Sequence, residues 1–263
     1  DRRGDAEGDE RLTDPVTPSE STGTLPVAGA GALGITGDTT PAETTAPAWV
    51  DEARATLESA EARGKHLLLH FSGDRTVHSH LGMSGRWYVR ADGRLPFGKP
   101  WLVLASGRGV ASQTGGKILR LVSSSRARND PALLQLGPDP LRPGFDPAAA
   151  AARLLAYEPS AGIGEALNDQ SLIAGIGNVI RVEACFLPGV SPWREVGDLS
   201  PDEARRIVDA VSWVMETSMK RGSRPKRIYG VSNRPCPRCG GRVRVHGQGD
   251  DNRVTYWCEG CQR

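Results

Sequence analysis

The end of the chain constrains the fold more than any other stretch. It reads CPRCGGRVRVHGQGDDNRVTYWCEGCQR, with two residues between Cys236 and Cys239 and two between Cys258 and Cys261. A C-x2-C turn aims both sulfurs at one point, and two such turns complete a tetrahedron around Zn2+. RVRV and VTYW read as strands and HGQGDDN as the turn between them, so the segment is expected to be a zinc ribbon. So small a segment has little core of its own, and a metal supplies the missing folding energy. Two disulfides are the alternative, but they belong to secreted scaffolds that spread their cysteines along the chain. Four of the five cysteines crowd into the last 28 residues, which points to metal in a reducing compartment. The fifth, Cys185, reads as a core residue. Four thiolates leave the ion no open position, so its role is structural. Arg253 stands near the hairpin tip between Asn252 and Val254. It is either a phosphate clamp on a rigid finger or a solvated turn charge.

Charge is distributed unevenly. Residues 1–60 hold 4 Lys/Arg and 12 Asp/Glu, and the rest holds 29 and 19, so the formal +2 conceals an acidic start and a basic body. A basic body suits a polyanionic partner, although a solvated basic surface has the same composition. No apolar run approaches the ~20 residues of a membrane span. The apolar LPVAGAGALGI is short and follows acidic residues, unlike a signal peptide.

Residues 1–48 are rich in Thr, Ser, Pro, Gly and Ala without periodicity, and are expected to form a disordered leader. WVDEARATLESAEARG reads as a short helix closed by Gly64. The pattern then turns to period two. KHLLLHF, RTVHSHL, RWYVR, WLVLA and KILRLV are strands, several of them separated by the turns SGD, ADG and SGRG. Residues 49–129 thus form a β-rich domain, a sandwich or flattened barrel. The Pro-rich NDPALLQLGPDPLRPGFDP opens a helical domain over residues 130–229. Asp146 and Pro147 are an N-cap and first-turn pair for AAAAARLLAY. GIGEALND and NVIRVEACF follow, then SPDEARRIVDAVSWVMETSMKRG, whose Ser200 and Glu203 make a capping box. The ribbon takes residues 230–263. The expected class is α+β.

IAGIGNVIRVEACF interrupts an apolar run with Gly175 and Gly177. Each glycine inside a helix costs about 0.5–1 kcal/mol relative to alanine, so a tight turn is the better reading. Such a turn leaves backbone N–H groups open at the start of the helix near Asn178, which makes an anion site. Asn178 adds an uncharged donor. A plain helix–helix turn would also use glycine.

At this point the chain resembles the formamidopyrimidine-DNA glycosylase and endonuclease VIII family, above all its endonuclease VIII-like members from high-GC actinobacteria. LNDQSLIAGIGNVIRVEACFLPGVSPW is similar to the family's helix–two-turn–helix. RGKHLLLHF and HSHLGMSGRW are similar to its β-domain, and the ribbon ending in CQR to its zinc finger. The resemblance runs from about Arg63 to the end. It implies a bacterial cytoplasmic, nucleoid-associated monomer that acts on double-stranded DNA carrying oxidised bases or abasic sites. Such an enzyme flips the damaged nucleotide, removes the base and cuts the strand by β,δ-elimination. It implies that Lys65 contacts the lesion-flanking phosphate and assists elimination, and that Asn178 holds the same backbone. Arg253 then clamps phosphate and aids the second elimination, Met83 fills the gap left by the flipped base, and Glu183 is a buried brace. His78 and His80 share a strand face with no third ligand at a telling spacing, so His80 reads as a DNA contact rather than a metal ligand. Arg126 and Arg128 lie near the family's wedge position, with no aromatic following.

The family's nucleophile is an N-terminal proline followed by a glutamate. The secondary amine attacks the sugar and forms an iminium. Here Glu7-Gly8-Asp9 matches the family's opening, with Ala6 in the proline's place and Glu7 in the glutamate's. Residues 1–60 otherwise depart from the family pattern. The second reading is therefore a catalytically impaired relative that binds damaged or abasic DNA without forming a covalent adduct. An RNA- or ribosome-associated binder is a more distant third, and Lys65 and Arg253 argue against it.

Overall fold

The computed structural model describes residues 24–26 and 54–263. Two antiparallel sheets share the first core. One has the order β1 (Thr24–Pro26), β2 (Arg54–Arg63), β3 (His66–Phe71), β4 (Arg75–His80) and β8 (Ile118–Val122). The other has the order β5 (Arg86–Arg90), β7 (Gly109–Thr114), β6 (Leu102–Ser106). Alternation turns Leu69 and Phe71 of β3 inward with Val77 of β4. There they meet Leu102 and Leu104 of β6, all nearly inaccessible. His66 and His70 of β3, with His78 and His80 of β4, take the opposite face by the same period of two.

Arg54–Arg63 is a strand, which corrects the helix expected there. Its Ala and Glu content favours helix intrinsically. Cross-strand pairing outweighs that preference: β2 pairs with β3 from Leu57↔Phe71 to Arg63↔His66, with a bulge between Leu57 and Ser59. Its other edge pairs with β1, Thr24↔Thr56 to Pro26↔Arg54. That short strand falls inside the segment expected to be a leader. The rest of residues 1–53, Glu7 included, lies outside the described residues.

A short helix, α1 (Ser124–Arg128), capped by Ser123, precedes the Pro-rich connector, which itself holds α2 (Pro131–Leu134), capped by Asp130. The helical domain follows as α3 (Pro147–Leu155), α4 (Ile163–Ala166), α5 (Asn178–Phe186) and α6 (Pro201–Arg221). Asp146 caps α3 by accepting from Ala148 and Ala149 N–H. Ser200 and Glu203 close the expected capping box on α6, and Gly222 ends that helix at φ 63°. Leu154, Ile173, Ile176, Ile207, Val211 and Val214 form a second, fully buried core. The ribbon hairpin is β9 (Val243–Gln248) and β10 (Arg253–Cys258), in register from Arg253↔Gln248 to Cys258↔Val243. It shares a third core with the helical domain, where Val182 and Phe186 of α5 pack with Ile228, Val243 and Cys258.

Candidate nucleic-acid interface

Three stretches distant in sequence meet at the N-terminus of α5. The β-domain contributes Lys65, whose Nζ donates to Ile176 O at 2.9 Å. The helical domain contributes Asn178 as the first residue of α5, behind the N-cap Gly177. The ribbon tip contributes Arg253. Asn178 Nδ2 donates to Val254 O at 2.8 Å, which joins the helix to the ribbon. Arg253 Nη1 approaches Met83 Sδ at 3.7 Å and Nη2 pairs with Asp251 at 3.0 Å. The ribbon tip therefore reaches the loop that leaves β4, and Met83 on that loop is 93% exposed.

The two glycines of the turn do different work. Gly175 has φ 90°, a Cβ there would lie 2.8 Å from Met215 Cε, and Gly64 of the β-domain abuts its backbone. The conformation and the close approach both require glycine. Gly177 has an extended φ of −113° and open space where a Cβ would point. No side chain caps the first turn of α5, which leaves its N–H groups without a side-chain acceptor, as a helix N-terminus that takes an anion requires. Gln170 ties the turn from within: Nε2 donates to Ile176 O at 3.0 Å and Oε1 accepts from Gly175 N at 3.1 Å.

The electrostatics suit a polyanion. Burial, then the charges of Arg253 and Lys117, push the Lys65 amine down to about 8. An approaching phosphate favours its charged form and works against that shift. His80 ends β4 beside these cations, accepts from Gly82 N at 3.1 Å, and meets the His66 ring at a tilt, centroids 4.6 Å apart. Burial and the charges of Lys65 and Lys117 lower its imidazole. His78 is enclosed instead, bonded to His66 at 2.8 Å and 3.4 Å from Asp130. Arg126 and Arg128 are exposed on α1, whose Ser124 meets Thr76 at 3.3 Å, near the end of β4 opposite His80. The structure does not gather them with Lys65, Asn178 and Arg253.

Glu183 is 1% exposed, and its Oε1 accepts from Arg227, Ile228 and Tyr229 N–H at 2.9, 2.9 and 2.8 Å. It braces the segment that leads from α6 into the ribbon. Sequence reasoning missed Arg181, which is wholly buried one turn after Asn178. The available signal was a charged residue within the apolar stretch VIRVEACF.

The cysteine cluster fits a single zinc ion. Cys236 and Cys261 Sγ lie 3.7 Å apart, Cys239 and Cys258 Sγ 3.5 Å apart, and all four within 4.8 Å of one another. Tetrahedral sulfurs at a Zn–S distance of about 2.3 Å would stand about 3.8 Å apart. Arg238 N and Gly241 N donate to Cys236 and Cys239 Sγ, each at 3.4 Å, the outer-shell bonding that orients metal ligands. Among the described residues no other group of His, Cys, Asp or Glu converges this way.

A β-domain, a helical domain with an open helix N-terminus and a cysteine ribbon, meeting at a cluster of cations, define a protein of the helix–two-turn–helix class. Residues 36–121 match the formamidopyrimidine-DNA glycosylase N-terminal domain and residues 136–229 match its H2TH domain. The chain belongs to the formamidopyrimidine-DNA glycosylase and endonuclease 8 family. It is 42% identical over 227 residues to a probable endonuclease 8 2 of Streptomyces coelicolor, covering 82% of each chain. It is 35% identical over 225 residues to a DNA-(apurinic or apyrimidinic site) lyase of Mycolicibacterium smegmatis, covering 82% of this chain and 86% of that one. Its fold resembles that of the Lactococcus lactis formamidopyrimidine-DNA glycosylase solved with abasic-site DNA. That match has a TM-score of 0.71 at 22% identity and covers 80% and 83% of the two chains.

Proposed function

We propose that this chain is a DNA glycosylase of base excision repair. It acts on double-stranded DNA carrying oxidised bases or abasic sites, with an associated lyase activity that cuts the strand by β,δ-elimination. The observation that carries this reading is the convergence of Lys65, Asn178 and Arg253, from three separate domains, around the open N-terminus of α5. Lys65 and Asn178 hold the phosphate flanking the lesion, and Arg253 clamps it from the ribbon. His80 borders the same strand, and Met83 enters the space left by the flipped base; an unbranched thioether adapts to that space. Cys236, Cys239, Cys258 and Cys261 hold one structural Zn2+, which keeps the tip in place. The division into residues 49–129, 130–229 and 230–263 follows these roles. No helix among the described residues is long and apolar enough to cross a membrane, and a DNA substrate suits a cytoplasmic, nucleoid-associated enzyme.

Borohydride trapping with a labelled abasic-site duplex tests the enzyme reading. A covalent adduct, together with excision from a duplex carrying an oxidised pyrimidine or purine, is expected. Salt-dependent binding without adduct or excision would leave the catalytically impaired binder in its place.

A further inference from the structure

Arg181 is the largest side chain that the described fold buries completely, at 0% exposure. Among the described residues no carboxylate hydrogen-bonds to it. Nη1 donates to Gly164 O at 3.3 Å and Gln248 Oε1 at 3.1 Å. Nη2 donates to Asn178 Oδ1 and Thr255 Oγ1, each at 2.6 Å, and lies 3.4 Å from the carbonyls of Arg253 and Val254. Nε has no partner. A buried charge with only neutral acceptors is expensive, and an apolar side chain of like volume is often neutral or better for stability. Stability alone therefore gives no account of an arginine here.

Its partners do. Every one belongs to α5, to the start of α4 or to the ribbon hairpin. Two of them, Asn178 and the backbone of Arg253, belong to the residues that grip phosphate. The planar fork reaches all of them at once, which a single ammonium does not do.

We infer that Arg181 is a positioning residue that presets the phosphate grip across the boundary between helical domain and ribbon. It holds the Asn178 amide with its oxygen inward and its NH2 outward. One N–H of that group goes to Val254 O, and the other is left for a phosphate oxygen. Turned by 180°, the amide would present its oxygen both to Val254 O and to the phosphate, so the Arg181 and Val254 contacts together select the productive orientation. The same fork holds the first residues of β10 against α5, so Arg253 is carried at a set place beside Asn178. This inference rests on the reading of Asn178 and Arg253 as phosphate ligands.

The test uses the zinc-loaded full chain with Arg181→Met, Arg181→Lys, Arg253→Ala and the Arg181→Met/Arg253→Ala double variant. Zinc content, melting temperature and affinity for abasic-site duplex over a salt series are measured. Arg181→Met is expected to keep one zinc per chain and to bind about tenfold weaker, the scale of one lost charge-assisted contact. Arg181→Lys keeps the charge without the fork and should not rescue. In the Arg253→Ala background Arg181→Met should cost less than in the parent, because only its hold on Asn178 is left to lose. Parental affinity in folded Arg181→Met, full rescue by lysine, or additive losses would each overturn the inference. If Arg181→Met sheds zinc or melts, Thr255→Val is the deciding variant, since it removes one arm of the hub and no charge. Weakened binding with zinc retained supports the inference, and parental binding sinks it. Failure of the parent chain to prefer abasic over undamaged duplex would instead bring down the functional reading.

Discussion

On the proposed reading, Arg253 and Lys65 would carry charge to phosphate in different ways. Arg253 touches Met83 and pairs with Asp251 at 3.0 Å through a part-exposed side chain, so a phosphate has only a surface ion pair to displace. Arg253→Ala is expected to weaken abasic-duplex binding and to reduce the slope of log K against log salt by about 1, as for one lost phosphate contact; equal slopes would place Arg253 off the backbone. Lys65 has an exposed side chain, and partial desolvation, then the charges of Arg253 and Lys117, push its amine down to about 8. Its folded pKa is depressed, so the stability penalty of its burial is present below pH ~8 and is relieved as pH rises toward the unfolded value of about 10.4. Phosphate binding favours the charged amine, so affinity should fall as pH rises from about 7 to 9 at constant ionic strength. Lys65→Met should bind more weakly at pH 7 and stay flat across that window. A pH-independent parent would remove Lys65 from the contact.

At the scale of the element, the ribbon is the part whose position depends most on others. Its knuckles dock on the helical domain through Arg238, which lies 4.4 Å over the Phe186 ring and donates to Leu187 O at 3.0 Å, and through Gln262, which donates to Val190 O at 2.9 Å. Its tip docks through Arg181 and Asn178. The cysteine cluster lies at the knuckle end beside Arg238 and Gln262, and β9 and β10 connect it to the tip, so loss of a metal there would loosen the hairpin that carries Arg253. Cys258→Ala removes one of four thiolates and should release zinc, loosen β9 and β10 and lower DNA affinity at least as far as Arg253→Ala. A purified variant with one equivalent of zinc and parental affinity would show the assignment to be wrong. The ribbon's two strands and its four cysteines were legible from alternation and C-x2-C spacing, but His246, Gly247 and Gln248 of the expected turn belong to β9. Its docking was not legible, because Arg238, Gln248 and Gln262 carry no periodicity that marks a polar side chain as a latch.

The whole molecule depends on how closely the β-domain approaches the helix–two-turn–helix. Gly64 and Gly175 meet backbone to backbone, and Gly64 N donates to Asp139 at 2.8 Å. Arg63 and Arg142 share Glu61 across the same seam at 2.7 and 2.8 Å. Gly175→Ala must place a side chain at φ 90° and against Met215, a strain of about 1–3 kcal/mol. It should lower the melting temperature and weaken DNA binding together, because Lys65 reaches Ile176 only while the seam is closed. Weakened melting with parental affinity would show that the seam does not set the grip.

Local patterns carried the helices, the ribbon and most of the strands. Asp146 before Pro147, Ser200 before Glu203 and the period-two run HLLLHF encode their own structure, because capping and alternation act within a few residues. The metal ligands are equally local, since each C-x2-C turn orients its own pair. Nearness in space was different. β2 is a strand because two neighbouring strands pair with it, against the preference of its Ala and Glu. Lys65, Asn178 and Arg253 could be singled out from motifs, but only packing of three domains brings them to one helix N-terminus. Arg181 gave only a partial signal for the same reason: a guanidinium in an apolar stretch names no partner until the hairpin that it holds lies against it, and that contact exists only in the folded chain.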